Sequence, residues 1–300
     1  MAKTDLTERL RQGLFFLDGA MGTQLIAADV KSGGCNDYLN IESPQTVIDI
    51  HKAYLHTGSD AVITNTFSAN SLVLDKHNLG DKAEQINLAG ARIARQAVDE
   101  IDADRYVLGG IGPCGEFLPP VGKADLEEVK EAFRSQAQAL AEGGVDGFIV
   151  ETMMALNEMT VAVRAVQSVS ELPLFASFAF NPASDGFRTL MGIGPDTAIA
   201  KLISLGVDAV GFNCGSLTMG QYVKLAEICA DLLKDNEVLL LAEPNAGKPE
   251  LIETGAVYKL APEDFADAAK KMHAAGAKIL GGCCGTSTEH IKVMVDRLKP

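Results

Sequence analysis

The sequence predicts an α/β protein, a single (β/α)8 TIM barrel formed by residues 1–300. Short apolar runs, each nearly continuous rather than alternating, are typical of parallel strands buried on both faces. Amphipathic stretches of helical spacing separate these runs. The predicted strands are Leu14–Asp18, Ala61–Asn65, Tyr106–Gly110, Gly147–Glu151, Pro173–Phe178, Asp208–Asn213, Val238–Pro244 and Ala277–Gly282.

The predicted helices complete eight βα units. They are Pro44–Thr57, Ala83–Ile101, Asp125–Glu142, Leu156–Val169, Pro195–Leu205, Tyr222–Leu233, Pro262–Ala275 and Glu289–Leu298. Glycines 58, 143, 206 and 276 fall where helices should end, and only a short turn separates each of them from the next strand. Thr286 and Glu289 have the spacing of a capping box for the last helix. A doubly wound open sheet is the rival fold, but no G-x-G-x-x-G follows the first strand.

Composition and charge exclude several kinds of partner. The chain has 26 basic and 40 acidic residues, a formal net charge of −14, and no cluster of lysine or arginine. Binding to a nucleic-acid backbone is therefore not expected. No apolar run approaches the roughly 18 residues of a membrane helix, so no membrane association is expected. The first residues do not resemble a signal peptide, which predicts a cytoplasmic protein.

Polar or reactive residues follow almost every predicted strand. Active sites of (β/α)8 barrels lie at the carboxyl ends of the strands, so this pattern predicts an enzyme. These residues are Asp18, Asn65, Gly112, Pro113, Glu151, Asn181, Cys214, Glu243, Asn245, Cys283 and Cys284.

Three of the six cysteines predict a metal site. Cys214 follows strand six, and Cys283 and Cys284 follow strand eight, one strand away. Strand ends separated by one neighbour lie roughly 10 Å apart, within reach of inward-pointing thiolates. Three thiolates select zinc and leave the fourth position open. The alternative is that each cysteine is a small buried apolar residue.

The remaining cysteines and the histidines receive other interpretations. Cys229 is expected in the core, whereas the roles of Cys35 and Cys114 are open. The five histidines show no metal-binding spacing and are expected to be solvated; they are His51, His56, His77, His273 and His290.

Two other site chemistries compete with metal binding. Asp18 and Glu151 could act as the acid and base of a glycosidase, but the chain has no tryptophan and only 6% aromatic residues to stack on sugars. The glycines at 281, 282 and 285 could bind phosphate, as barrels often do after strands seven and eight. The cysteines between these glycines favour a metal instead.

Motifs along nearly the whole chain resemble the homocysteine S-methyltransferase family. They are LDGAMGTQL (Leu17–Leu25), TNTFSAN (Thr64–Asn70), GGIGPCGE (Gly109–Glu116), VETM (Val150–Met153), GFNCG (Gly211–Gly215), EPNAGKP (Glu243–Pro249) and GGCCGT (Gly281–Thr286). Within the family, EPNAG and TNTF are most similar to the homocysteine-binding module of cobalamin-dependent methionine synthase.

The resemblance implies one zinc ion held by Cys214, Cys283 and Cys284, and L-homocysteine as methyl acceptor. It implies that Asp18 and Glu151 hold the amino group of homocysteine and that Asn245 fills the fourth zinc position without substrate. Backbone N–H groups of the turn beginning at Gly19 are candidates for the substrate carboxylate. Betaine-type members have a tyrosine where this chain has Thr152.

This ligand set suits methyl transfer better than hydrolysis. Zinc with three thiolates carries a formal charge of −1, so it withdraws little charge from an incoming sulfur. Only the thiolate form of a thiol is a good nucleophile. The expected reaction is therefore transfer of a methyl group to the homocysteine thiolate, giving methionine.

The sequence motifs do not identify the methyl donor. The chain ends directly after the last predicted helix, so we expect methylcobalamin to be carried by a separate corrinoid protein. The segments Gly19–Asn40 and Gly112–Ala124 are expected to be rim loops suited to docking it. The alternatives are a small donor such as S-methylmethionine or betaine, a different thiol or selenol acceptor, and a non-catalytic homocysteine- or zinc-binding module.

Overall fold

A computed structural model describes residues 3–28, 34–252 and 255–299, with the side chains of residues 251–256 outside that description. The strands are β1 (Phe15–Phe16), β2 (Ala61–Ile63), β3 (Tyr106–Ile111), β4 (Gly147–Met153), β5 (Leu174–Phe178), β6 (Asn181–Ala183), β7 (Gly186–Arg188), β8 (Ala209–Asn213), β9 (Leu239–Glu243), β10 (Glu250–Ile252), β11 (Gly255–Val257) and β12 (Ile279–Leu280). The helices are α1 (Leu6–Arg11), α2 (Met21–Ala27), α3 (Leu39–Glu42), α4 (Pro44–His56), α5 (Ser71–Asp75), α6 (Ala83–Ile101), α7 (Leu126–Glu142), α8 (Leu156–Gln167), α9 (Pro195–Leu205), α10 (Met219–Leu233), α11 (Pro262–Ala275) and α12 (Thr288–Leu298), with a 3₁₀ helix at Gly80–Lys82.

Eight parallel strands form the barrel in the order β1-β12-β9-β8-β5-β4-β3-β2. The two ends of this order meet, because the N–H of Asp60, just before β2, donates to Phe16 O of β1 at 2.7 Å. Each predicted strand overlaps one of these eight strands. The (β/α)8 barrel is confirmed, whereas the assignment of all 300 residues to one domain stays a prediction.

The strands are buried on both faces, as their continuous apolar sequences require. Inward-pointing side chains fill the barrel interior, and the opposite faces pack against the helices in a separate and larger core. Leu6 and Leu10 of α1 belong to the interior cluster and cover the amino-terminal end of the barrel. The interior cluster also contains Phe15, Leu17, Ala61, Tyr106, Leu108, Ile149, Phe175, Ala209, Leu241 and Ile279. A ligand can therefore approach the interior from the carboxyl-terminal mouth.

Local signals set most helix ends, with one correction. Gly143, Gly206 and Gly276 directly follow α7, α9 and α11, as predicted. The predicted capping box at Thr286 and Glu289 is wrong by one residue, because Ser287 and His290 form it. The hydroxyl of Thr286 instead donates to Cys283 O at 2.7 Å, which ties the start of this turn to the cysteine segment.

Some loops contain structure that the sequence pattern did not predict. The antiparallel hairpins β6-β7 and β10-β11 follow β5 and β9 at the barrel mouth. The segment Gly19–Asn40, predicted as a rim loop, contains α2 and the start of α3, and its residues 29–33 lie outside the described residues. These additions enlarge the rim on the side where the strands end.

Two histidines correct the prediction that the histidines are solvated. His51 of α4 is fully buried, and His290 of α12 is nearly so. His290 is held by Ser287 and by Leu260 O, whereas burial lowers the pKa of His51 to about 4 and keeps it neutral. In the described part of the chain no helix is both long and apolar enough to cross a membrane.

Candidate active site

The thiols of Cys214, Cys283 and Cys284 converge at the carboxyl ends of β8 and β12. Their Sγ atoms lie within 4.8 Å of one another, and Cys214 Sγ is 3.8 Å from Cys284 Sγ. Zn–S bonds of about 2.3 Å at tetrahedral angles place sulfurs about 3.8 Å apart. The three thiols therefore fit one zinc ion, and they form the only such cluster of three ligands among the described residues.

Backbone contacts hold the cysteines in place. The N–H of Cys283 donates to Pro244 O at 2.9 Å, and the carbonyl of Cys284 accepts from Ala246 N at 2.9 Å. The hydroxyl of Tyr222 donates to Cys214 O at 2.6 Å. Cys214 itself has a φ of 53°, a left-handed conformation that costs about 1–3 kcal/mol in a residue with a side chain. In this strained conformation the thiol of Cys214 points toward the thiols of Cys283 and Cys284.

Hydrogen bonds between the three thiols shift their pKa values in opposite directions. Hydrogen bonds from the thiols of Cys214 and Cys283 lower the pKa of Cys284 to about 3. Hydrogen bonds of Cys283 with Cys214 and then with Cys284 raise the pKa of the Cys283 thiol. A cation at the centre would favour the ionised form of all three thiols.

Asn245 adds an unpaired acceptor beside the cysteines. Its Nδ2 donates to Gly215 O at 2.6 Å, and its backbone N–H donates to the hydroxyl of Tyr222. Its Oδ1 is buried and has no hydrogen-bond partner within the described residues. A buried carbonyl oxygen without a partner costs about 1–3 kcal/mol, and a nearby cation would recover that cost. This fits the implied role of Asn245 at a fourth metal position.

Asp18 and Glu151 lie near each other at the barrel mouth, close enough that the charge of Glu151 raises the pKa of Asp18. Asp18 Oδ2 accepts from Ile63 N at 3.0 Å, and Glu151 Oε2 accepts from Asn213 Nδ2 at 3.1 Å. Gly110 of β3 leaves space beside Glu151, since a Cβ there would lie 2.8 Å from Ile63 Cγ2 and 3.7 Å from Glu151 Oε1. The two predicted carboxyl groups are therefore brought together.

Burial dominates the electrostatics of these carboxyl groups. It raises the pKa of Asp18, and the nearby charge of Glu151 raises it further. Burial followed by the charge of Cys284 raises the pKa of Glu151 to about 7. At the end of β9, burial raises the pKa of Glu243, and the charges of Glu151 and Asp18 raise it further. A cationic ligand would stabilise the ionised forms of all three.

Asn213 connects the carboxyl groups to the thiols. Its Nδ2 lies 2.6 Å from Thr152 Oγ1, 3.1 Å from Glu151 Oε2 and 3.7 Å from Cys283 Sγ. Its Oδ1 accepts from Thr152 N and Ser177 Oγ, each at 2.8 Å. Thr152, which departs from the betaine pattern, has a φ of 60° and takes part in this network.

Gly19 lies beside the turn that carries the cysteines. A Cβ on Gly19 would be 2.7 Å from Thr286 Oγ1 and 2.9 Å from Tyr54 Oη, so only glycine fits there. The next N–H, that of Ala20, donates to Thr286 Oγ1 at 3.1 Å. This amide is therefore already paired, and the expected contact of Gly19 with a substrate carboxylate stays a prediction.

The other cysteines lie apart from the thiol cluster. Cys229 is fully buried in the core, as predicted. Cys114 is also fully buried, with Sγ donating to Glu116 O at 3.4 Å and its N–H to Glu158 Oε1 at 2.7 Å. Cys35 belongs to a small apolar cluster with Ala69, Leu74 and Ile86. All three are packing residues.

Two asparagines at strand ends are structural. Asn65 donates to Asn36 O at 2.8 Å and to Asn40 Oδ1 at 3.1 Å, which anchors the segment after β1. Asn181 Oδ1 accepts from Ser216 N at 3.1 Å and ties the hairpin β6-β7 to the segment after Cys214.

Sequence reasoning gave no role to Asn213, Ser177 or Tyr222. Asn213 directly precedes Cys214 in GFNCG, which was a usable signal for a buried amide at a strand end. Ser177 and Tyr222 offered no comparable signal, because Ser177 lies within an otherwise apolar strand and Tyr222 occupies an apolar position of an amphipathic helix. Their roles depend on which strands and helices become neighbours.

Gly281 provides a test of how tightly the site is packed. A Cβ there would lie 2.8 Å from Leu17 Cβ and 3.1 Å from both Asp18 O and Glu243 Oε1. We expect Gly281→Ala to lower the free energy of unfolding by about 1–3 kcal/mol, measured by urea denaturation. Gly220→Ala is the control, because nothing lies within 4 Å of that Cβ and alanine suits a helix. Equal stability of the two variants would show that the site can relax.

Comparison with known proteins agrees with this architecture. Methionine synthases of Mycobacterium leprae and Mycobacterium tuberculosis are each 35% identical to the chain over 306 residues. Each alignment covers 96% of the chain but only 24% and 25% of the respective relative. The chain therefore spans about a quarter of the length of the curated relatives it matches.

A solved structure supports the fold. The metallated form of the homocysteine methyltransferase MmuM from Escherichia coli superimposes with a TM-score of 0.80. The match covers 97% of this chain and 99% of that one, at 21% identity. Likeness at this level of identity concerns the barrel and not its chemistry.

Fold and site together define a (β/α)8 barrel with a three-thiol cluster and buried carboxyl groups at its mouth. The family model described as homocysteine S-methyltransferase matches residues 15–298. The chain belongs to the homocysteine S-methyltransferase family. The resemblance drawn from the sequence motifs is confirmed at the level of the family.

Proposed function

We propose that this protein transfers a methyl group to the thiolate of L-homocysteine and so forms methionine. The observation that carries the proposal is the thiol cluster of Cys214, Cys283 and Cys284 joined through Asn213 to Glu151. A ligand that combines a sulfur with an ammonium group a few bonds away fits this pairing of groups. The methionine synthase relatives and the family membership support the same substrate.

One zinc ion per chain is part of the proposal. The spacing of the sulfurs and the unpaired Asn245 Oδ1 both fit such an ion. Zinc bound there would keep the homocysteine sulfur as a thiolate, its nucleophilic form. The metallated form of the E. coli relative is consistent with a metal in this fold. Thiols of this kind need a reducing compartment, in keeping with a cytoplasmic location.

The carboxyl groups orient the acceptor. Asp18 and Glu151 accept charge-assisted hydrogen bonds from the ammonium group, which fixes one end of homocysteine. Asn213 keeps Glu151 in place relative to Cys283, and this sets the distance from the ammonium to the sulfur. In the reaction the sulfur forms a bond to the methyl carbon, while the bond to the donor breaks and leaves its electron pair on the donor. The positioning of the sulfur is the contribution of the protein.

For the donor we propose a methylcorrinoid carried on a protein. Such a donor needs a wide mouth and an apolar surface to dock on. Four large apolar side chains at the mouth, in segments following β2, β3 and β5, are 40–65% exposed: Phe67, Phe117, Val121 and Leu190. Phe117 and Val121 also line a groove of about 280 Å³ together with Met191. Exposed apolar side chains grouped in this way are typical of interaction surfaces.

A donor panel tests the proposal. Zinc-loaded protein with homocysteine should form methionine from methylcobalamin at least about tenfold faster than from S-methylmethionine or betaine, a difference of about 1.4 kcal/mol in activation free energy. Methionine is quantified by chromatography, with the Cys283→Ser variant as the blank. Faster turnover of a small donor would overturn the corrinoid donor but keep homocysteine as acceptor. No methionine from any donor would overturn the proposed function.

A further inference from the structure

Glu243 is a third buried carboxyl group at the site, in addition to Asp18 and Glu151, which hold the ammonium group in the proposed function. It ends β9, where it pairs in register with Asn213 of β8. Side chains in register on neighbouring parallel strands point to the same face, so Glu243 points inward as Asn213 does. The residue is only 2% exposed. Its Oε2 is buried and has no hydrogen-bond partner in the part of the chain that the structure describes.

The fold leaves room for Glu243 beside Asp18. β12 runs between β9 and β1, and Gly281 directly follows β12. A Cβ on Gly281 would lie 3.1 Å from Glu243 Oε1 and 3.1 Å from the main-chain oxygen of Asp18, so the glycine leaves room for the Glu243 side chain next to the Asp18 backbone. The carboxyl groups of Glu151 and Asp18 are near enough that their charges, after burial, raise the pKa of Glu243. Glu243 therefore belongs to the same buried group of acids as Asp18 and Glu151.

A partner for Glu243 must come from outside the chain. A buried carboxyl oxygen without a hydrogen bond is unfavourable, which argues for a ligand that donates to it. Glu243 is not among the metal ligands, since the cluster of three donors consists of cysteines alone. An ammonium group has three N–H donors and no acceptor, and it would be attracted by three buried acids whose charges act on one another.

We propose that Glu243 is the third acceptor for the α-ammonium group of the substrate and that it sets selectivity for an amino thiol over a thiol without the amino group. This inference rests on the proposed function, because it assumes homocysteine at the site. Each of the three N–H donors then meets one carboxyl group, those of Asp18, Glu151 and Glu243. A thiol that lacks the ammonium brings no cation to the three acids and leaves Glu243 Oε2 without a donor, so it binds more weakly.

Binding of two ligands to zinc-loaded protein tests this inference. The ligands are L-homocysteine and γ-mercaptobutanoate, which is the same molecule without the amino group. We expect Glu243→Gln to weaken homocysteine binding about tenfold or more in calorimetry, the usual value of a hydrogen bond to a charged group. Binding of γ-mercaptobutanoate should be unchanged, so the preference for the amino thiol falls by the same factor. Glu243→Asp retains the charge and should recover part of that preference.

Glu158→Gln is the matched control. Glu158 is a buried carboxyl group of α8 that accepts from Cys114 N, away from the thiol cluster. It should leave the preference unchanged, and all variants should retain one zinc per chain. An unchanged preference in Glu243→Gln, or equal weakening of both ligands, would overturn the role of Glu243. Failure of the unaltered protein to bind homocysteine would instead overturn the proposed function.

Discussion

Replacing Cys283 with serine should remove zinc from the protein and abolish methyl transfer. The serine hydroxyl is not ionised near neutral pH, so the site loses one of three thiolates and its tetrahedral geometry. Loss of one ligand should weaken zinc binding by about a thousandfold or more, which corresponds to about 4 kcal/mol. This is a fraction of the total free energy with which three- and four-ligand sites bind zinc. Cys214→Ser and Cys284→Ser should behave in the same way, because all three sulfurs lie within 4.8 Å of one another. Zinc per chain is measured by elemental analysis after dialysis against a weak chelator.

Cys229→Ser is the control for this experiment. Cys229 is equally a cysteine of the barrel, but it is buried in α10 away from the cluster. It should keep one zinc per chain, although burying a hydroxyl there lowers the free energy of unfolding by about 1–3 kcal/mol. Full zinc retention in two or more of the three cluster variants would show that these cysteines do not hold the metal.

Asn213→Ala should produce the second large effect, a loss of about a hundredfold or more in kcat/KM for homocysteine. The asparagine is fully buried and bonds to Glu151, Thr152 and Ser177. Its removal leaves the N–H of Thr152 and the hydroxyl of Ser177 unpaired and releases Glu151. Because Glu151 and Cys283 are then no longer linked, the ammonium and sulfur subsites lose their fixed distance. Steady-state kinetics with varied homocysteine measures the change.

A buried asparagine outside the site separates this effect from general destabilisation. Asn87 of α6 is also fully buried and donates to Ala69 O at 2.7 Å and Ala83 O at 2.8 Å. Asn87→Ala should lower the free energy of unfolding by a similar amount, about 2–4 kcal/mol, with little change in kcat/KM. If the two variants lose kcat/KM equally, Asn213 acts only through stability.

The fold was predictable because its signals are local. Continuous apolar runs such as Val238–Pro244 identify strands buried on both faces without knowledge of their neighbours. Glycines such as Gly206 mark helix ends by their conformational freedom. The capping box was placed one residue early, because Thr286 and Ser287 are both acceptable caps and contacts with Cys283 and Leu260 decide between them.

The residue types of the site were also predictable, because residues that directly follow the strands of a (β/α)8 barrel all lie at the same mouth. Cys214, Cys283, Cys284, Asp18 and Glu151 could each be placed at the mouth from their position after a strand. The burial of His51 was not predictable from its helix alone, since the face it occupies depends on how α4 packs.

The sequence by itself determined the barrel, the family and the set of thiols and carboxyl groups at the mouth, because strand order along the chain fixes which ends meet. The tertiary structure alone decided how these groups relate to one another. Asn213 became the link between Glu151 and Cys283 because β8 lies within reach of both β4 and β12. Glu243 Oε2 has no hydrogen-bond partner because Gly281 leaves room for the Glu243 side chain while no described group donates to that oxygen. Such relations depend on distances across the barrel, which no local pattern in the sequence encodes.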